Sequence, residues 1–335
     1  MGTRSPADRW RGPDGQRLAG LVLARMSSLD SLADLALGEH EGRVDLRGFA
    51  VPQPEVIAEA YAAEAGPDGA ATVLRQMSGL VEFRGIELAN LDLSHSHLDH
   101  LRFDDAVLTD CLFDSARCRD WRAWHFTVER SSFRGADLRD SAIGTWQEQT
   151  GNSYRDVTFA DADLRGIVCL AASFTDCDFS GVRLDQAEFN GCDFVRCKFA
   201  GPLDEVRFLA DPGGIGGKTT AGVMREADFS QATLRLVEFG GYPMDDVVLP
   251  EESDAQVVVR HYPCVVRRAL ELLSEDFTPE TRQLRTRLRT ESGRLDEHRT
   301  VGVWHVDELG VDAEQQRFAR QLLHRVEREC STTRK

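Results

Sequence analysis

FADADLRGIVCLAASFTDCDFSGVRLDQAEFNGCDFVRCKF, residues 159–199, places a large apolar residue, or a cysteine, at every fifth position: Phe159, Leu164, Cys169, Phe174, Phe179, Leu184, Phe189, Phe194 and Phe199. Two residues before most of them stands a small one, such as Ala162, Ala172, Cys177, Ala187 or Cys192. A helix repeats about every 3.6 residues and a strand about every 2. A period of five therefore requires a chain that turns a corner every five residues.

The same step extends in both directions. Backwards, thirteen consecutive positions from Phe83 to Ile143 carry no charged or strongly polar side chain. Forwards, Met224, Phe229, Leu234, Phe239, Met244 and Leu249 continue the series. The units FRGADLRD, FADADLRG and READFSQATLR resemble the A-(D/N)-(L/F)-x-x unit of the pentapeptide-repeat family. The resemblance spans Val81–Leu249. It implies an all-β solenoid core, a right-handed quadrilateral β-helix in which four pentapeptides make one coil of twenty residues. Twenty-eight units then build a rod of about seven coils, on the order of 35 Å long at the inter-strand spacing. Residues twenty apart stack, so Phe159, Phe179 and Phe199 form one ladder and Phe174 and Phe194 another.

The domain organisation follows from where the repeat stops. Residues 1–80 lack it and carry two helical patterns, QRLAGLVLARMSSLDSLADLALG and PQPEVIAEAYAAEAG, read as an α-helical N-terminal cap. Residues 81–249 form the β-helix. Residues 250–335 read as mainly α-helical, a C-terminal cap or a dimerisation region. One helix opens at Thr278-Pro279 and another at Asp312, with Gln315 completing a capping box. The apolar face of the latter is Phe318, Leu322, Leu323 and Val326, and RTVGVWHV between the two reads as a strand.

The repeat is interrupted twice. Ile143 to Phe159 is sixteen residues, one too many, and 144–156 is read as a loop with Trp146 and Tyr154 as aromatic candidates for a partner contact. Phe199 to Met224 is twenty-five residues, so the frame resumes unchanged, and 203–222 is read as a second excursion. It contains DPGGIGGKTT, whose end imitates a nucleotide-binding P-loop. The first glycine of that motif is replaced by Pro212, no β-branched strand precedes it and no amphipathic helix follows. Gly213 and Gly217 are therefore read as turn residues and Lys218 as an exposed charge; with Trp146 and Tyr154 they make up the candidate partner-contact loops.

No cofactor or metal site emerges. His95, His97 and His100 fall in outward slots and read as surface residues. The eight cysteines make no disulfide framework in a chain this long and are expected to be reduced; six of them fall in inward slots and read as core thiols. No nucleophile, base and orienter come together, so the protein reads as non-catalytic. The recurrent aspartates before the large residue, Asp137, Asp163, Asp178, Asp193 and Asp228, read as an acidic repeat surface.

The chain has a formal net charge of −16, and the repeat region alone carries −12 against +2 for residues 260–335. That balance excludes direct nucleic-acid binding and an anionic membrane surface. With no signal-peptide layout or apolar span, the expected setting is cytoplasmic. The resemblance extends to quinolone-resistance members of the family, which imitate B-form DNA and bind DNA gyrase. It implies an acidic DNA mimic with a protein partner such as gyrase, and a homodimer through the C-terminal region. The alternative is a general protein-binding scaffold with no topoisomerase role.

Overall fold

Five-residue steps become strands and corners in a computed structural model that describes residues 5–28, 30–64, 81–147, 149–214, 218–275, 278–293, 295 and 299–332. Parallel pairing holds the coils in register: Phe83 faces Phe103 and Leu88 faces Leu108, each twenty residues on. The register continues through Tyr154, Phe174, Phe194 and Met224 in a seven-stranded sheet. A second row pairs Val168–Leu170, Glu188–Asn190, Arg207–Leu209 and Glu238–Gly240. A third contains Asp178–Ser180, Lys198–Asp204 and Asp228–Arg235, and a fourth consists of single bridges from His97 through Arg117, Asp137 and Asp163 to Arg183. The result is a β-solenoid of stacked pentapeptide coils flanked by helical regions.

The corners account for the composition. Asp105, Asp110, Asp120, Asp140, Asp156, Asp161 and Asp176 all have φ between 53° and 61°, as do many of their corner equivalents, with Gly135, Gly166, Gly181 and Gly191 interspersed at 62–68°. Only glycine and short polar residues enter this left-handed region at little cost. Aspartate at these corners therefore suits the backbone as well as adding charge, although Arg130, Ala171 and Leu236 turn equivalent corners.

Inward residues stack as the twenty-residue register demands. Phe113, Phe133, Phe159, Phe179, Phe199 and Phe229 form a continuous column, with successive ring centroids 4.5–5.4 Å apart and planes within 13°. Tyr154, Phe174 and Phe194 form a second column, and Phe189, Phe208 and Phe239 a third. The columns meet edge to face, an arrangement that favours aromatic pairs. The six cysteines of the repeat are buried and unbridged. Burial pushes the Cys111 thiol up to about 11, which keeps it protonated.

The coil starts earlier than the repeat count suggests. Residues 43–51 run parallel to 90–97, with Val44 facing Leu91 and Ala50 facing His97. Leu46 and Phe49 are buried in the rod's core. Only then does the chain enter a helix over residues 54–64, which lies near α1 (Gly12–Ser28). Residues 1–80, expected to lack the repeat, therefore contribute a coil segment to the rod.

At the other end, a two-stranded antiparallel sheet, Gln256–Arg260 with Val301–His305, packs with helices at Tyr262–Leu272, Pro279–Ser292, Val306–Leu309 and Ala313–Thr332. They share a core of their own around Tyr262, Trp304, Leu284 and Leu323. Asp312 accepts backbone hydrogen bonds from Glu314 and Gln315, so the last helix begins where the capping pattern puts it. Phe318, expected on the buried face, is 39% exposed. Cys264 and Cys330 form a disulfide across 66 residues, so the expectation of eight reduced cysteines does not extend to this pair. The two parts meet where the Leu236 N–H donates to Glu308 Oε1 at 3.0 Å. Among the described residues no helix is long and apolar enough to cross a membrane.

Candidate functional site: two insertions on one edge

The first interruption is shorter than the sequence indicates. Val128 pairs with Tyr154, twenty-six residues on, so six residues are extra. They form a small antiparallel hairpin in which Trp146 faces Gly151 and Gln147 faces Thr150. Tyr154, expected on the loop, is back in the coil: it is buried, stacks on Phe174 at 4.9 Å, and its hydroxyl donates to the Ile143 carbonyl at 2.6 Å. Its candidacy as a contact residue is withdrawn.

Asn152 closes the gap beneath the hairpin. Its buried amide donates to the carbonyls of Ala123 (3.0 Å) and Ile143 (2.9 Å), and its Oδ1 accepts from Phe126 N–H at 3.1 Å. A side chain thus replaces the backbone pairing that the departing chain leaves unmade.

The second interruption is also narrower. Leu203 and Phe208 are fully buried in the coil, and Phe208 faces Phe189 nineteen residues back. One unit, Phe199 to Leu203, has four residues. The true excursion is 211–221, and its ends are pinched together by Gly222 N–H donating to the Ala210 carbonyl at 2.7 Å. A nineteen-residue coil and an eleven-residue loop give the thirty that separate Phe194 from its partner Met224, which is why the frame looks undisturbed. The boundary at 203 is corrected accordingly.

Both insertions leave from the edge turned by Ala171 and Gly191, and they touch. Gly151 packs so closely on the Ala171 carbonyl that a Cβ would collide with it, and Gly191 stands in the same way against Pro212. Lys218 ties the two together. Expected as an exposed charge, it is 4% exposed; its ammonium donates to the Gly191 carbonyl at 2.5 Å and sits 5.1 Å from the centre of the Trp146 ring. A desolvated cation over an indole contributes about 1–2 kcal/mol. Gly213 and Gly214 turn the loop at φ 62° and 72°, the first held by the Asp211 carboxylate. Gly217 lies outside the described residues. Gly213 and Gly214 therefore make turns, and the lysine faces the rod rather than a phosphate. The edge offers hydrogen-bonding groups to solvent, Gln147, Thr150, Thr219 and Thr220, together with the exposed carboxylate of Asp211.

Substituting Lys218 by methionine is expected to uncouple the insertions while leaving the rod folded. Backbone amides at 145–147 and 149–152 should exchange with solvent about tenfold faster, a change of about 1.4 kcal/mol in local opening. Unchanged exchange there would mean that the contact holds nothing.

The five repeat aspartates are half-buried and engaged within the chain. Asp137 accepts from Arg119 and Arg139, at 2.6 and 2.8 Å, and Asp163 from both Nε and Nη2 of Arg165 at 2.8 Å. Burial pulls the Asp163 carboxyl up, but the hydrogen bonds from Arg165 and the charges of Arg165 and Arg183 outweigh it and hold it below the usual carboxylate range. Asp178 and Asp228 accept from the backbone of Ser180 and Ser230, and Asp193 from Val223 N–H. The sequence pattern marks them as an acidic repeat surface. Their contacts make them structural, and exposed acid is concentrated at corners such as Asp105, Asp140 and Asp156.

His95 and His100 turn corners at positive φ, and His97 faces outward beside Arg117. Among the described residues no group of histidine, cysteine and carboxylate side chains is placed to hold a metal ion. A cleft of about 830 Å³ lies where the last coil meets the C-terminal part, between Met244, Leu249 and His324. Its Glu252 is already taken by Arg320 and His324.

Residues 155–191 and 177–201 match the family described as pentapeptide repeats. No curated protein matches. Among solved structures, a trypsin-treated variant of QnrB1, a plasmid-mediated fluoroquinolone resistance protein, is similar at 17% identity, with a TM-score of 0.25 over 51% of this chain and 78% of that one. Full-length QnrB1 gives 16% identity and 0.26 over 50% and 79%. HetL, a pentapeptide-repeat protein involved in heterocyst differentiation regulation from the cyanobacterium Nostoc sp. strain PCC 7120, gives 14% and 0.17 over 55% and 98%. The chain carries pentapeptide repeats and has a distant likeness to QnrB1.

Proposed function

We propose that this chain is a non-catalytic, protein-binding rod of the bacterial cytoplasm, and that the edge carrying the two insertions holds its partner. The observation behind this is the clasp itself. Two insertions, separated in sequence by some sixty residues of regular coil, share one edge and are joined through Lys218 and Trp146. Regular coils need neither insertion to stack, and ordered loops on a rigid scaffold are where binding residues concentrate.

In its finer form the reading makes DNA gyrase or another type II topoisomerase the partner, with the acidic rod standing in for DNA and the outcome being inhibition or protection from a drug. The net charge of −12 over the repeat supports it, because such a surface repels nucleic acid and attracts the proteins that bind it. The same reading has the coil wind right-handed as a quadrilateral helix. Its helical regions would cap the two ends, and the C-terminal one would offer a homodimer contact. A general scaffold with no topoisomerase role is the second reading, favoured by the arginine pairing of Asp137 and Asp163.

The test is gyrase supercoiling against titrated protein, with and without a fluoroquinolone, alongside a variant in which 211–221 is replaced by a short turn. Inhibition or drug protection that the variant loses supports gyrase binding at this edge. No effect at tens of micromolar protein rejects gyrase and leaves the scaffold reading.

A further inference from the structure

One face of this acidic rod is not acidic. The row of bridges running His97, Arg117, Asp137, Asp163, Arg183 is flanked by Arg119, Arg139 and Arg165, one position beyond the inward residues Cys118, Leu138 and Leu164. Five arginines therefore share this face with Asp99, Asp137, Asp163 and Asp185, and it is locally net positive within a region that is net −12. It is a different surface from the clasp edge, and its chemistry is independent of which partner that edge holds.

The geometry of the arginines matters more than their number. Arg119, Arg139 and Arg165 each bind an aspartate through the Nε and Nη2 edge of the guanidinium: Arg119 and Arg139 on Asp137, Arg165 on Asp163. Three guanidiniums on successive coils are thereby held by two aspartates, with Arg119 and Arg139 converging on Asp137. This leaves all three Nη1 groups without a hydrogen-bond partner among the described residues. Arg117 is held by Asp99, and Arg183 by Asp163 at 3.5 Å; both remain about half exposed, at 49% and 55%. Guanidinium groups oriented in advance lose little entropy when they bind an anion.

The geometry points to this arginine lattice as a docking strip for an acidic polypeptide segment, bound through its carboxylates. The strip is five coils long, about 20 Å, and a single pentapeptide unit wide. It is bordered by Asp140 at one corner and Asp161 at the other, both exposed. A duplex, about 20 Å across with charge on every side, would overlap both borders. A flexible chain of glutamates or aspartates can lie within the strip, with the flanking acids setting its register by repulsion.

The experiment uses fluorescence anisotropy of a labelled decaglutamate peptide with the full-length protein at about 50 mM and about 300 mM salt, since exposed charge pairs are screened over that range. The charge-reversed variant Arg119→Glu/Arg165→Glu is compared with Arg130→Glu, which removes an arginine from a corner outside this face. The neutral variant Arg119→Gln/Arg165→Gln serves if charge reversal impairs folding, as judged by circular dichroism. The expected result is salt-sensitive binding that weakens at least about tenfold in the double variant and is unchanged in Arg130→Glu. Absence of binding at low salt, equal loss in Arg130→Glu, or retention in the neutral double variant would overturn the assignment. Tighter binding of a short duplex DNA than of the peptide would instead make the strip a nucleic-acid site and would also overturn it.

Discussion

Replacing Phe174 by alanine is expected to destabilise the protein by about 3–5 kcal/mol, the range for deleting a large buried aromatic side chain. Phe174 has no exposed surface and stands in the middle of a column, 4.9 Å from the ring of Tyr154 and 5.3 Å from that of Phe194. It also meets Phe159, Phe179 and Phe189 edge to face. A solenoid can refill such a hole poorly, because each coil is fixed by backbone pairing to the two beside it. The cavity should therefore persist and its full cost should appear in the urea midpoint. A loss below about 1 kcal/mol would mean that the coils can close in on the gap, contrary to the rigid register described. Phe318→Ala provides the contrast: that ring is 39% exposed, and its loss should cost much less.

The second large effect is expected at Asn152. Substitution by leucine keeps the branched shape but removes an amide that serves three buried backbone groups, the carbonyls of Ala123 and Ile143 and the N–H of Phe126. Each orphaned group costs about 1–3 kcal/mol, and Tyr154 still reaches the Ile143 carbonyl, so a total of about 3 kcal/mol is expected. Denaturation gives the magnitude. Hydrogen exchange gives the location, with amides near 123–128 opening first. A neutral result would show that water or a backbone shift satisfies those groups, and that Asn152 does not hold the hairpin's base.

The solenoid was legible because its signal is a period that no other backbone uses, repeated over twenty-eight units. The ladders of Phe159 and Phe174 followed from arithmetic alone. What escaped notice was the first coil: VDLRGF, residues 44–49, is the same unit as ADLRG at 162–166, but a single copy separated by a helix carries little weight in a search for periodicity. The loops were misjudged for a related reason. A four-residue unit between Phe199 and Leu203 and an eleven-residue loop cancel in the count, so the frame hid where the chain departs. Tyr154 looked like a loop aromatic because the six extra residues shift its phase.

At the candidate site, Trp146 and Lys218 stand outside the repeat as the sequence suggests, whereas Tyr154 is part of the coil, and the environment of Lys218 was not legible. Lys218 is the only lysine in either insertion, and nothing in its neighbours indicates that it turns inward onto Trp146. The aspartates before each large residue look like a charged surface in a linear count. Arg139 and Arg165 stand only two residues after Asp137 and Asp163, but the stacking of coils alone adds the distant partners, Arg119 on Asp137 and Arg139 on Asp163. The disulfide was invisible for the same reason: Cys264 and Cys330 meet because two helices pack together, and no spacing rule announces it.

The most direct measurement is hydrogen exchange of the whole protein with and without saturating DNA gyrase. Partner binding at the clasp edge requires slower exchange at 145–147, 149–152 and 218–222, with the outward positions of the arginine face unchanged. Protection confined to other surfaces, or none at saturating gyrase, would contradict the assignment of this edge as the gyrase contact.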